Sequence, residues 1–230
     1  MSADDFPPTS AALEEPNGLL AVGGDLSRER LLNAYRRGIF PWFQEPQPIL
    51  WWTPDPRSVL FPADLHISRS LRKTLRRNEF RLAVDSAFRA VMLGCAEPRA
   101  DGGGTWIGES MLAAYTDLHR SGEAHSVEVY DTAGDLVGGL YGVVVGGAYF
   151  GESMFSRRSD ASKVALVGLA SLARRAGIGV IDCQVESEHL NSMGAKNVRR
   201  LDFEALLAQT VDMELNPGTW TLPESCGELL

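Results

Sequence analysis

The stretch "LVGGLYGVVVGGAYFGESMFSRRSDASKVALVGLASLARRAGIGVIDCQV", residues 136–185, decides the fold. Its first part, together with "HSVEVY" (125–130), reads as a three-strand meander, with Gly146-Gly147 as the tight turn between the last two strands. "DASKVALVGLASLARRAG" is apolar nearly all round, which predicts a buried helix. "GVIDCQV" is a strand, and the helix joining it to its predecessor predicts that the two run parallel. Working outward, the spacing predicts a basic helix over about 68–77 and a strand "FRLAV" (80–84). A helix with Phe88, Val91, Met92 and Cys95 on one face comes next. After a glycine loop, Met111, Leu112, Tyr115 and Leu118 mark another helix, stopping at Gly122. The expected class is α/β (α+β), with a mixed, mostly antiparallel sheet.

The N-terminal quarter is different. "EPNGLLAVGGDLS" (15–27) is a glycine-rich loop ending in Ser27, a candidate helix N-cap, and Gly38 supplies the stop after "YRRG". "IFPWFQEPQPILWWTPDPRSVLFPADL" carries six prolines and three tryptophans, too many for a long regular element. It reads as a compact aromatic domain over residues 1–62, followed by a larger domain over 63–230.

With 230 residues, 44% hydrophobic and 23% charged, the chain has the make-up of an ordinary globular protein. "MSADDFPPTS" is acidic and holds prolines, which argues against a signal peptide, and no apolar run is long enough for a membrane span. Three scattered cysteines without a CxxC pair suggest reduced thiols in a cytoplasm. The four histidines lack metal-site spacing, so no metal is expected. A net charge of −8 argues against a protein that coats nucleic acid indiscriminately, and DNA is not an expected partner. One basic patch could still bind one nucleic acid. Arg69, Arg72, Lys73, Arg76 and Arg77 fall on one helical face opposite Leu71 and Leu75, with no acid among them. A solvated face is the plainer reading of such a run; phosphate binding is the one its isolation favours.

Polar residues interrupt the apolar strands. Asp182 and Gln184, two apart, share a sheet face, and Glu152 breaks the neighbouring strand in the same way. Any one alone could be a satisfied structural group; together they suggest a cleft. Gly138, Gly139 and Gly142 would let a ligand approach the backbone. Trp106, in the glycine loop, is a candidate stacking platform for a base. "SRRSDAS" opens the buried helix and reads as an anion site at a helix start. The element order is that of the acetyltransferase-like (GNAT) fold. Its coenzyme A motif occurs only as "RRAGIG" (174–179), after the helix and not before it. A coenzyme A-dependent acyltransferase and a non-enzymatic RNA-binding module stay open as alternatives.

Several blocks, in order, resemble the bacterial leucyl/phenylalanyl-tRNA–protein transferases: "EPNGLLAVGGDLS", "YRRGIFPWF", "LWWTPDPR", "HISRSLRK", "GTWI", "HSVEV", "GGLYGV", "GESMFSR" followed by "ASK", and "DCQV". The resemblance implies a small N-terminal domain on a GNAT-like domain. It implies an enzyme that moves Leu or Phe from Leu-tRNA or Phe-tRNA to proteins or peptides with N-terminal Arg or Lys, marking them for degradation. Because the tRNA ester is already activated, no cofactor is required. Asp182 and Gln184 would be catalytic, with Gln184 accepting an N–H of the attacking amine and Asp182 holding the Gln184 amide. Glu152 would hold the acceptor's cationic group. Leu140, Tyr149, Leu166 and Leu169 would wall the aminoacyl pocket. Tyr35, Trp42 and Trp106 would contact the terminal adenosine, and the basic helix the tRNA body.

Overall fold

In the computed structural model, residues 6–98, 107–216 and 220–230 are described, and they form two sheets with helices around them. The chain opens with β1 (Leu19–Val22), α1 (Arg28–Arg36), β2 (Phe40–Pro41) and β3 (Leu50–Trp52). These strands form a small antiparallel sheet in the order β1-β3-β2. Pro41 lies in an edge strand, where a missing N–H is tolerated. Gly38 takes φ +71° just past α1, as a helix stop requires. Ser27 stands at the N-cap position, but its side chain makes no cap hydrogen bond; its own N–H donates to Asp25 Oδ1 at 2.9 Å.

The chain continues through β4 (Arg57–Leu60), α2 (Arg69–Arg77), β5 (Arg81–Val84), α3 (Phe88–Cys95) and α4 (Glu109–Arg120). Then come β6 (Ala124–Tyr130), β7 (Leu136–Val145), β8 (Ala148–Ser156), α5 (Ala161–Ala176) and β9 (Val180–Gln184). The last elements are α6 (Glu188–Ser192), β10 (Lys196–Val198) and α7 (Arg200–Thr210). The large sheet has the order β10-β4-β9-β8-β7-β6-β5. The expected meander is β6-β7-β8, with its turn at Gly146 (φ +54°). β8 and β9, joined by α5, pair in parallel, and the other pairs are antiparallel.

Alternating strand residues feed two cores. Val59, Tyr141, Phe150 and Val180 pack with α3, α4, α7 and the N-terminal Tyr35, Phe40 and Trp51. Leu60, Leu140, Tyr149 and Ile181 pack with α5, α2 and Cys226 on the other face. The N-terminal residues therefore share a core with the large sheet.

Two expectations change. The boundary at Pro62 leaves β4 with the N-terminal region, yet β4 sits inside the large sheet between β10 and β9. Composition marks the prolines on both sides; it does not reveal that Arg57–Leu60, four of the five residues between Pro56 and Pro62, are all buried. The β7 glycines make room for protein, not ligand. A Cβ on Gly138 would lie 2.5 Å from Ala161 Cβ, one on Gly139 2.8 Å from Val127 O, and one on Gly142 2.1 Å from Phe150 O. Among the described residues, no helix is long and apolar enough to cross a membrane.

Candidate active site

β8 and β9 pair from Ala148 with Val180 to Phe150 with Asp182, and no further. Beyond that point β8 continues along β7 to Ser156, while β9 ends at Gln184, beside Ser58 of β4. The strands part, and a cavity of about 480 Å³ opens between them. Leu140, Tyr149, Leu166 and Leu169 all line it, as do Phe40, Trp42 and the segment Val185–Ser187. Glu152, Asp182 and Gln184 lie on its wall, so the structure brings together the three polar interruptions of the strands.

The Glu152 carboxylate is buried and accepts from three donors. Oε1 takes Tyr35 Oη–H at 2.7 Å and Gln184 Nε2–H at 2.9 Å, and Oε2 takes Tyr115 Oη–H at 3.0 Å. The two tyrosine hydroxyls also touch each other. Burial pushes the Glu152 carboxyl up from 4.5 to about 7, and the nearby Asp182 charge adds to this, while the three donors oppose it. Burial, and then the Glu152 charge, hold the Tyr35 and Tyr115 hydroxyls well above the ordinary phenol value. When ionised, the Glu152 carboxylate can only accept, and it then faces the Gln184 amide nitrogen, as here. That leaves Gln184 Oε1 at the cavity as an acceptor with no donor among the described residues.

Asp182 does something other than expected. It does not hold the Gln184 side-chain amide, which belongs to Glu152. Its two oxygens take the Arg57 fork, from Nε at 2.8 Å and Nη2 at 2.7 Å, and Oδ1 also accepts the Gln184 backbone N–H at 2.9 Å. The expectation assumed extended backbone through Gln184; its φ of +64° turns the side chain out of the strand's alternation. Arg57 itself escaped sequence reasoning, although a lone charge heading the apolar run "SVLF" was a signal for it.

Tyr35 is also corrected. It is fully buried and its hydroxyl is engaged by Glu152 and Tyr115, so it cannot stack on an adenosine; it supports the carboxylate. Trp42 is 47% exposed at the cavity, its backbone carbonyl fixed by Trp52 Nε1–H at 2.7 Å. Trp106 lies outside the described residues. The expected anion site at the start of α5 is already served by protein. Arg157 pairs with Glu97, Arg158 with Glu79 at 3.0 Å, and the Ser162 N–H donates to Ser156 Oγ at 3.3 Å. The carboxylate of Asp160 sits at that helix start as well, accepting from Thr74 Oγ1 at 2.8 Å.

α2 carries the basic stripe as expected. Ser68 caps it by accepting the Leu71 N–H at 3.2 Å, and Asn78 ends it at φ +55°. Leu71 and Leu75 are buried, while Arg69, Arg72, Lys73, Arg76 and Arg77 are exposed. None of the five forms an ion pair among the described residues. The Thr74–Asp160 bond ties this helix to α5, whose following turns wall the cavity.

Residues 59–208 match the family described as leucyl/phenylalanyl-tRNA protein transferase, and residues 24–55 match its N-terminal domain. A protein of that name from Nitrosomonas eutropha is 58% identical over 94% of this chain and 92% of its own length. Another, from Nitrosomonas europaea, is 60% identical over 89% and 86%, and one from Thiobacillus denitrificans is 57% identical over 96% of both. Among solved structures, the L-PGS of Bacillus licheniformis superposes with a TM-score of 0.41 at 11% identity, covering 70% of this chain and 52% of that one. Matched along nearly its whole length, the chain belongs to the leucyl/phenylalanyl-tRNA–protein transferase family.

Proposed function

We propose that this enzyme transfers Leu or Phe from Leu-tRNA or Phe-tRNA to the N-terminal α-amine of proteins beginning with Arg or Lys, marking them for degradation. The observation that carries the reading is one cavity with apolar walls and the Gln184 Oε1 acceptor beside a buried carboxylate. The aminoacyl side chain occupies the apolar part, against Leu140, Tyr149, Leu166 and Leu169. The acceptor amine donates an N–H to Gln184 Oε1, which aims its lone pair at the ester carbonyl. An N–C bond forms, the ester C–O bond breaks, and the amine's proton ends on the departing ribose oxygen. With a pKa of about 7.7–8.0, the amine is partly neutral near pH 7.5 and needs no strong base.

Donors among the described residues use three of the four lone-pair sites of the Glu152 carboxylate, and the fourth is assigned to the acceptor's ammonium or cationic side chain. Trp42 and, on the sequence resemblance alone, Trp106 are assigned to the terminal adenosine. The five cations of α2 are assigned to tRNA phosphates. We place the junction of the N-terminal and catalytic regions between β3 and β4, and the enzyme in the cytoplasm, consistent with three free cysteines.

The test is transfer of labelled Leu from charged tRNA to an Arg-starting peptide, with an Ala-starting peptide as control. Transfer from an acyl-coenzyme A in place of the charged tRNA would sink the proposal.

A further inference from the structure

Arg57 takes part in none of the steps above, yet two of its three guanidinium nitrogens grip Asp182 on the cavity wall. It is fully buried, and its Cζ lies 4.8 Å from the ring centroids of both Phe40 (β2) and Phe203 (α7). Its Nε and Nη2 grip the two oxygens of Asp182. Asp182 Oδ1 in turn holds the backbone N–H of Gln184. Gln184 needs such a hold for two reasons. It sits at φ +64°, a region that costs a non-glycine residue energy unless its surroundings impose it. The β4–β9 ladder is also irregular there, with Ser58 opposite Gln184 but Val59 opposite Asp182, so the ladder alone does not fix the strand end.

We infer that Arg57 is a positioning residue: acting through Asp182, it locks the left-handed backbone of Gln184 and so aims the side-chain amide at Glu152 and the cavity. This rests on the catalytic reading of Gln184. The task requires arginine, because a two-point grip on a carboxylate fixes orientation as well as charge, whereas a lysine ammonium supplies only the charge.

Arg57→Lys therefore keeps the ion pair and loses the fork. We expect kcat to fall by about 10–100-fold, as when a reacting group is displaced by about 1 Å, with KM for the aminoacyl-tRNA unchanged. In a Gln184→Ala background the same change should add less than about 2-fold, since a positioning residue acts only through the group it positions. A structural residue would lower the rate by the same factor in both backgrounds, and that result overturns the inference. So does a wild-type kcat for Arg57→Lys. If Gln184→Ala alone transfers at the wild-type rate, the catalytic reading of Gln184 fails first and takes the inference with it. Where Arg57→Lys does not fold, Phe203→Leu is carried through the same cycle. It leaves the fork in place and removes one supporting ring, so a several-fold loss of kcat that vanishes beside Gln184→Ala is expected; an undiminished loss there, or no loss at all, overturns the inference.

Discussion

Glu152→Gln separates the buried charge from the rest of the site, because glutamine keeps the shape and cannot titrate. The Glu152 carboxyl stands at about 7 in the folded chain, against 4.5 as its ordinary value, chiefly because burial penalises its charged form. The folded chain thus binds this proton more tightly than the unfolded chain does. Between pH 4.5 and about 7 the unfolded chain has released the proton while the folded chain retains it, so rising pH favours unfolding throughout that window. Below the window both states are protonated and above it both are ionised, and the contribution is level. Taking the interval from 4.5 to about 7 at roughly 1.4 kcal/mol per pH unit gives roughly 3–4 kcal/mol over the whole titration, of which about 3 kcal/mol falls above pH 4.5. The stability of the wild type relative to Glu152→Gln should therefore drop by about 3 kcal/mol between pH 4.5 and pH 8. Urea unfolding of both proteins at a series of pH values measures it, and taking the difference cancels groups that titrate alike in each. A difference that stays flat across the range would refute the reasoning: Glu152 would then be solvated through the cavity.

The same titration reaches the chemistry. A protonated Glu152 carries an O–H that can donate to Gln184 Oε1 and occupy the acceptor that the amine needs. Ionisation turns Glu152 into an acceptor only and frees that oxygen. The transfer rate of the wild type relative to Glu152→Gln should rise with pH through about 7.

Gln184→Ala should slow single-turnover transfer by about 10–10³-fold while leaving aminoacyl-tRNA affinity intact, since one positioning hydrogen bond is lost and no tRNA contact. Arg76→Ala should flatten the log–log salt dependence of tRNA binding by about 0.7–0.9, one phosphate contact, and barely change the melting temperature, because Arg76 is exposed. Its turnover of an aminoacylated adenosine, which lacks the tRNA body, should match the wild type. Leu169→Ala lengthens the apolar part of the cavity, and the Phe-to-Leu ratio of kcat/KM should rise by about 10-fold or more.

The element order was legible because helical spacing, apolar runs of strand length and turn glycines are local signals, and the Gly146-Gly147 turn divides the last two strands of the meander. The position of β4 was not, since pairing between Arg57–Leu60 and β9 is a contact between residues more than a hundred apart. The same division runs through the site. Glu152, Asp182 and Gln184 stand out as polar residues in apolar strands, so a sequence can mark them. Their wiring depends on the φ of one residue and on donors brought in from α1, α4 and β4, and no local pattern records those. The pocket walls came from family resemblance, because Leu and Tyr in a strand or a buried helix look the same whether they fill a core or line a cavity. Tyr35 shows the converse error: an aromatic ring with a hydroxyl suits both a stacking platform and a buried donor, and only burial separates them. Arg57 was hidden for a related reason. At the first position of a strand, just after a proline, an arginine resembles a solvated end residue. The rings of Phe40 and Phe203, from opposite ends of the chain, are what enclose it and commit its fork to Asp182.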